Sequence, residues 1–187
     1  MDNSYGYKSE YLYKAIEDTG ETIRFLDTKA GAVFAGISIC LTLLQISSGS
    51  IQNLYIAMQK NTILFGVLAF LFLTYSILVI LSLFYSFKTI KPKDSIIIQT
   101  DNYTFYQLLY IGNKAEYKNQ AAISEYYEKL RNMSKKDCTL SILAELLKLS
   151  YIRNLKLKNS NLSIMFFVWS LIPLGMIYIC MLLTCFK

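Results

Sequence analysis

Three apolar stretches, 30–46, 63–87 and 162–186, contain no Asp, Glu, Lys or Arg, and they divide this chain. At about 1.5 Å per helical residue, the second and third cross a hydrocarbon core of about 30 Å with some tilt. The first is at the short end, and residues 47–51 extend it. A chain built around three such segments is an integral membrane protein. Its function lies in what three spans and the polar segments between them can do.

Charge sets the expected orientation. The lead segment carries four basic residues (Lys8, Lys14, Arg24, Lys29), and the 47–62 loop carries Lys60 alone. Residues 88–161 carry thirteen of the nineteen Lys and Arg, leaving only Lys187 beyond the third span. Basic residues near span ends stay cytoplasmic. The lead segment and the insert are therefore expected inside, with the loop and the C-terminus outside. This pattern needs an odd number of spans. The expected fold is an all-α integral membrane protein: 1–29 a cytosolic N-terminal helix, 30–47 the first span, 48–62 an extracytoplasmic loop. Residues 63–87 form the second span, 88–161 a cytosolic helical insert suited to sensing, and 162–186 the third span.

The net charge of +6 is concentrated in that insert. Such a lobe suits anionic headgroups or a phosphate-bearing ligand, although ordinary positive-inside bias also accounts for it. The four cysteines are scattered, with no C-x-x-C pair, and the chain has no His. A disulfide framework, a zinc site and His-based acid–base catalysis are not expected. Glu125 with Glu128, and Glu17 with Glu21, share helix faces but have Lys or Arg beside them, as solvated pairs do. No glycine-rich phosphate loop is present. An enzyme, a metal cofactor and a nucleic-acid partner are not expected.

Residues 9–29 hold apolar positions Leu12, Ile16, Ile23 and Leu26 at helical spacing with no Pro, which predicts a helix feeding the first span. Gly20 is a candidate break. In the first span, Gly31 with Ala35 and Ala32 with Gly36 form small-x-x-x-small pairs of the kind that let helices approach in lipid. Ser38, Thr42 and Gln45 make a polar stripe expected to face other helices or a water path. In the insert, 95–99 has a strand-like composition, and 115–131 reads as a helix. Another helix starts at Ser134 or Asp137. No residue between Cys138 and Ile172 must stop it, so it is expected to continue into the third span, with Pro173 and Gly175 kinking it.

The run 22–31, TIRFLDTKAG, followed by AVFAGI, resembles the opening of the transmembrane effectors of bacterial Pycsar antiphage defence. There an Asp-x-Lys-Ala element sits where a cytosolic helix enters the first span; here it is Asp27, Thr28, Lys29 and Ala30. The segments 125–127 (EYY) and 149–156 (LSYIRNLK) resemble that family's Ser- and Lys-bearing helix before its last span, and 108–112 its aromatic-glycine element. The order of spans and insert agrees over about residues 10–185. The chain departs from the family pattern at Leu157, where an aromatic would follow the Lys.

The resemblance implies a signal-gated effector. A partner cyclase makes cCMP or cUMP on infection, and the membrane protein answers by impairing the inner membrane. A cyclic pyrimidine mononucleotide needs cations for its phosphate and flat surfaces for its base. Lys114, Lys118, Arg131, Tyr126, Tyr127, Arg153 and Lys156 are the candidate ligand-binding residues. The insert's aromatics equally suit a small helical core and membrane-interface anchors. Asp27 has two readings. One is a local interfacial pair with Lys29; the other is a switch contact to Arg153 or Lys156, released by ligand. Few polar residues lie in the spans, so a pore is expected to be shared among copies of a homo-oligomer in the lipid bilayer. The alternative is a non-signalling structural or accessory subunit of a membrane complex.

Overall fold

The computed structural model describes residues 3–47, 49, 52, 56, 62–91, 127–128 and 131–185. Among these, every regular element is α-helical. Helix α1 is Asn3–Ile46, α2 is Thr62–Ile90 and α3 is Lys135–Cys185. All three are long and apolar enough to cross a membrane. The three apolar stretches thus lie within longer helices, and the lead helix and first span form one element of 44 residues. Gly20 does not break it. A half-exposed glycine costs about 1 kcal/mol against alanine, too little to interrupt a helix anchored on both sides.

Helix α3 begins with a reciprocal cap. Ser134 Oγ accepts from the Asp137 amide (3.2 Å), while Asp137 Oδ2 accepts from the Ser134 amide (3.3 Å) and hydroxyl (2.6 Å). Two amides orphaned at a helix start are satisfied in this way. From there α3 runs 51 residues, about 76 Å, through 159–161 without interruption and with Pro173 inside it. The segment 95–99 and most of 115–131 lie outside the described residues.

The fold divides into two compact units, Met1–Arg24 with Pro92–Asn154, and Phe25–Lys91 with Leu155–Lys187. In the first, Thr19, Ser141 and Ile142 are buried, and Lys148 pairs with Glu145 at 3.5 Å in a largely buried setting. The second is a three-helix bundle in which α1 and α3 run parallel and α2 antiparallel. Its core is set by spacing. On α1 the inward positions are Leu26, Ala30, Val33 and Ile37, continued by the half-buried Cys40 and Leu44. On α3 they are Lys156, Ser160, Ser163, Phe167, Ser170, Leu174, Ile177 and Met181. Both series alternate intervals of four and three, the seven-residue seam of coiled-coil packing.

Two apolar layers fill one end of the bundle. Val33, Ile37, Tyr75, Val79 and Leu174 form the first; Leu68, Leu71, Ile177 and Met181 form the second. The large side chains pointing away from the seam, among them Ile39, Phe70, Ile80, Val168 and Ile179, are exposed, as lipid-facing positions must be.

The small-residue face of α1 is used only at Gly36. A Cβ there would come 2.7 Å from Phe167 Cζ, whereas Gly31 has nothing within 4 Å, and Ala32 and Ala35 are exposed. The polar stripe also faces outward, against expectation. Ser38, Thr42 and Gln45 are exposed, and the two hydroxyls donate back to the carbonyls of Phe34 and Ser38. That back-bonding satisfies a hydroxyl without a neighbouring helix.

Candidate functional site

Asp27 and Lys156 meet where the seam begins. Lys156 Nζ donates to Asp27 Oδ1 at 2.5 Å across 129 residues of chain. The two side chains differ in exposure, 7% for Lys156 and 37% for Asp27. The cation is therefore the desolvated partner. Removing Asp27 would leave the buried Lys156 ammonium uncompensated, at a cost of about 3 kcal/mol, so this contact ties α1 to α3.

Helix geometry excludes the local alternative. Residues two apart on a helix point to different faces, and Lys29 instead lies over the Phe25 ring at 4.6 Å. Ala30, only 1% exposed, is the small residue that lets α1 approach its neighbours one turn beyond the pair. The switch reading left Arg153 and Lys156 open; the pair forms with Lys156, and Arg153 contacts the neighbouring Asn154 Oδ1 at 3.5 Å.

Beyond the pair the seam is lined with hydroxyls. Ser82, Ser86 and Thr89 of α2, with Ser160, Ser163 and Ser170 of α3, are each at most 1% exposed. Ser82 Oγ donates to the Ser163 carbonyl (2.9 Å), and Ser163 Oγ donates to the Ser82 carbonyl (3.0 Å). Ser163 has one proton, so Ser86 is the donor in the 2.5 Å contact between the Ser86 and Ser163 hydroxyls. Cross-helix bonds of this type average about 0.6 kcal/mol in membrane proteins, so the clasp contributes roughly 2 kcal/mol. Thr89 and Ser170 bond within their own helices, to the Tyr85 and Phe167 carbonyls.

Among the described residues, the hydroxyls of Ser160, Tyr75 and Tyr178 in this bundle are buried without a partner. Each such group costs about 1–3 kcal/mol. The serine column was missed in the sequence, although Ser82 with Ser86 and Thr89, and Ser163 with Ser170, carry the four-and-three spacing of one face.

In the other unit, Tyr127 is 60% exposed, and Arg131 makes a solvent-exposed pair with Glu128 at 3.9 Å. Lys114, Lys118 and Tyr126 lie outside the described residues. A cleft of about 440 Å³ runs beside one face of α1, lined by Glu10, Tyr11, Lys14, Ala15 and Asp18. Its volume is within the range of small-ligand sites. Of its residues the sequence reading named only Lys14, as one of the lead segment's basic residues and not as a ligand contact, because the count of basic residues drew attention to the insert.

The model of the Pycsar effector protein domain matches residues 11–183. The chain belongs to the Pycsar effector family. Curated proteins and solved structures give no match. The matched range covers most of both units and all but the first two residues of the three candidate spans. This Pycsar effector is thus a membrane protein with a role in antiphage defence, in a family of effectors rather than of catalysts. The Asp27–Lys156 pair unites two of the segments, 22–31 and 149–156, on which the family resemblance rested.

Proposed function

We propose that this Pycsar effector senses a cyclic pyrimidine mononucleotide, cCMP or cUMP, made by a partner cyclase during infection, and impairs the inner membrane so that infection aborts. The lead helix and the 88–161 insert face the cytoplasm in this reading, supported by the thirteen basic residues of the insert. The observation that carries it is the family match across 11–183 in a chain with three membrane-crossing helices. The structure offers a way for the signal to travel. Helices α1 and α3 each run unbroken from one unit into the other, and the Asp27–Lys156 pair ties them together.

Ligand is held in the basic unit by cations for its phosphate and aromatic faces for its base. Lys114, Lys118, Tyr126, Tyr127, Arg131 and Arg153 remain the insert's candidates. Lys14 and Tyr11 of the cleft offer the same two chemistries on α1. Lys156 is assigned to the latch, since its ammonium is occupied by Asp27. Homo-oligomers concentrate the effect in the bilayer.

Liposomes holding the purified full-length protein test this reading. With a potential-sensitive dye, cCMP or cUMP is expected to collapse an imposed potassium gradient, and a cyclic dinucleotide is not. Calorimetry on the same preparation should show binding of the active nucleotide. Neither binding nor leak with any of them would instead mark an accessory subunit without a sensing role.

A further inference from the structure

The seam of the three-helix bundle changes character along its length. From Lys156 to Ser170 four of its five α3 positions are polar, Phe167 being the exception, over about 21 Å of helix at 1.5 Å per residue. Facing them on α2 are Ser86 and Ser82, both bonded to Ser163, with Thr89 also buried. From Leu174 to Met181, a further rise of about 10 Å, the seam is closed by the two apolar layers. Helix association in lipid accounts for the serines that bond α2 to α3. It does not account for Ser160, whose buried hydroxyl has no partner among the described residues. Two more unpartnered hydroxyls, Tyr75 and Tyr178, lie among the apolar layers themselves. An unsatisfied polar group in a bilayer is tolerated where the segment lines a water-filled space in a working state.

We infer that the hydroxyl-lined seam of a single chain is the permeation route of this effector. Water and small ions enter at the Asp27–Lys156 end, and the layers Val33/Ile37/Val79/Leu174 and Leu68/Leu71/Ile177/Met181 form the gate. The inference deepens the proposed membrane activity and rests on it. It replaces the expected pore between copies with a route inside each copy.

The residues order the opening. Ion-pair release frees Asp27 and Lys156 to be hydrated at the mouth. The Ser82, Ser86 and Ser163 hydroxyls then exchange their mutual bonds for water, at little cost because each bond is replaced. The Tyr75 and Tyr178 hydroxyls provide the next polar footholds through the gate. Beyond the mouth the route holds no charged side chain, so it conducts small ions with weak selectivity.

Two experiments decide the matter. In the first, Ile177→Ser and Leu68→Ser extend the hydroxyl column into the gate, and lipid-facing Ile179→Ser serves as control. Potassium-loaded liposomes are assayed without nucleotide. Both gate variants are expected to leak at least fivefold faster than wild type, with Ile179→Ser unchanged and helicity and elution volume of all three preserved. Folded gate variants as tight as the control would overturn the inference.

The second uses Ser163→Cys with the four native cysteines replaced, treated with a water-soluble thiosulfonate. Labelling is expected to be negligible at rest and at least tenfold faster with the activating nucleotide. Nucleotide-driven leak with Ser163→Cys still unreactive would place the route between copies. Should no nucleotide cause leak, the proposed sensing fails, while the gate variants still decide the route.

Discussion

At the scale of single residues, the Asp27–Lys156 pair is asymmetric, and its mutants should be too. Lys156 is the buried partner and Asp27 keeps 37% side-chain exposure. Asp27→Ala strands a cation out of water and is expected to cost about 3 kcal/mol, whereas Lys156→Met leaves a carboxylate that water reaches and costs under about 1 kcal/mol. The double variant should lie nearer Lys156→Met. Thermal unfolding in detergent checks the order, and equal losses for the two single variants would show that burial does not govern the pair. In liposomes, Asp27→Ala is expected to leak without nucleotide or to lose its response; wild-type behaviour would remove the latch. The pairing was half legible in the sequence. An Asp at the mouth of a span predicted a partner, but the choice between Arg153 and Lys156 depends on which face α3 turns inward.

At the scale of elements, the continuity of α3 was readable from missing breakers, because nothing between Cys138 and Ile172 forces a helix to end and a capping pair stands at Ser134 and Asp137. Mechanical coupling through that helix is testable. Asn154→Pro removes a backbone bond in mid-helix and costs about 3 kcal/mol of local helix stability. Nucleotide binding by calorimetry is expected to persist while nucleotide-triggered leak falls at least fivefold; unaltered leak would show that α3 does not carry the signal. The inward faces were not readable in the same way. Within a span nearly every position is apolar, so hydrophobic periodicity has no contrast to report. The polar stripe at Ser38, Thr42 and Gln45 looked like an interface and is exposed, whereas the serines of α2 and α3 form the seam.

At the scale of the whole molecule, orientation has a built-in reporter. Cys138 is exposed in the unit that includes the insert, and Cys40 and Cys180 are only partly exposed, on spans. In a Cys185→Ser background, a membrane-impermeant maleimide should label Cys138 in inverted vesicles and not in intact spheroplasts. The opposite pattern would put the insert outside, beyond reach of a cytosolic messenger.

Composition and order of residues alone determined that this chain lives in a membrane, carries three helices able to cross it and keeps its cations together. Those properties follow from solvation, which acts on each segment separately: charge-free runs of sufficient length partition into lipid wherever they occur. Tertiary structure decided which serines are buried, that Lys156 rather than Arg153 meets Asp27, and that Phe167 packs against Gly36. These depend on the rotation of one helix about its axis against another. Packing fixes that rotation to within a residue, and lipid, which solvates all faces of an apolar helix alike, does not.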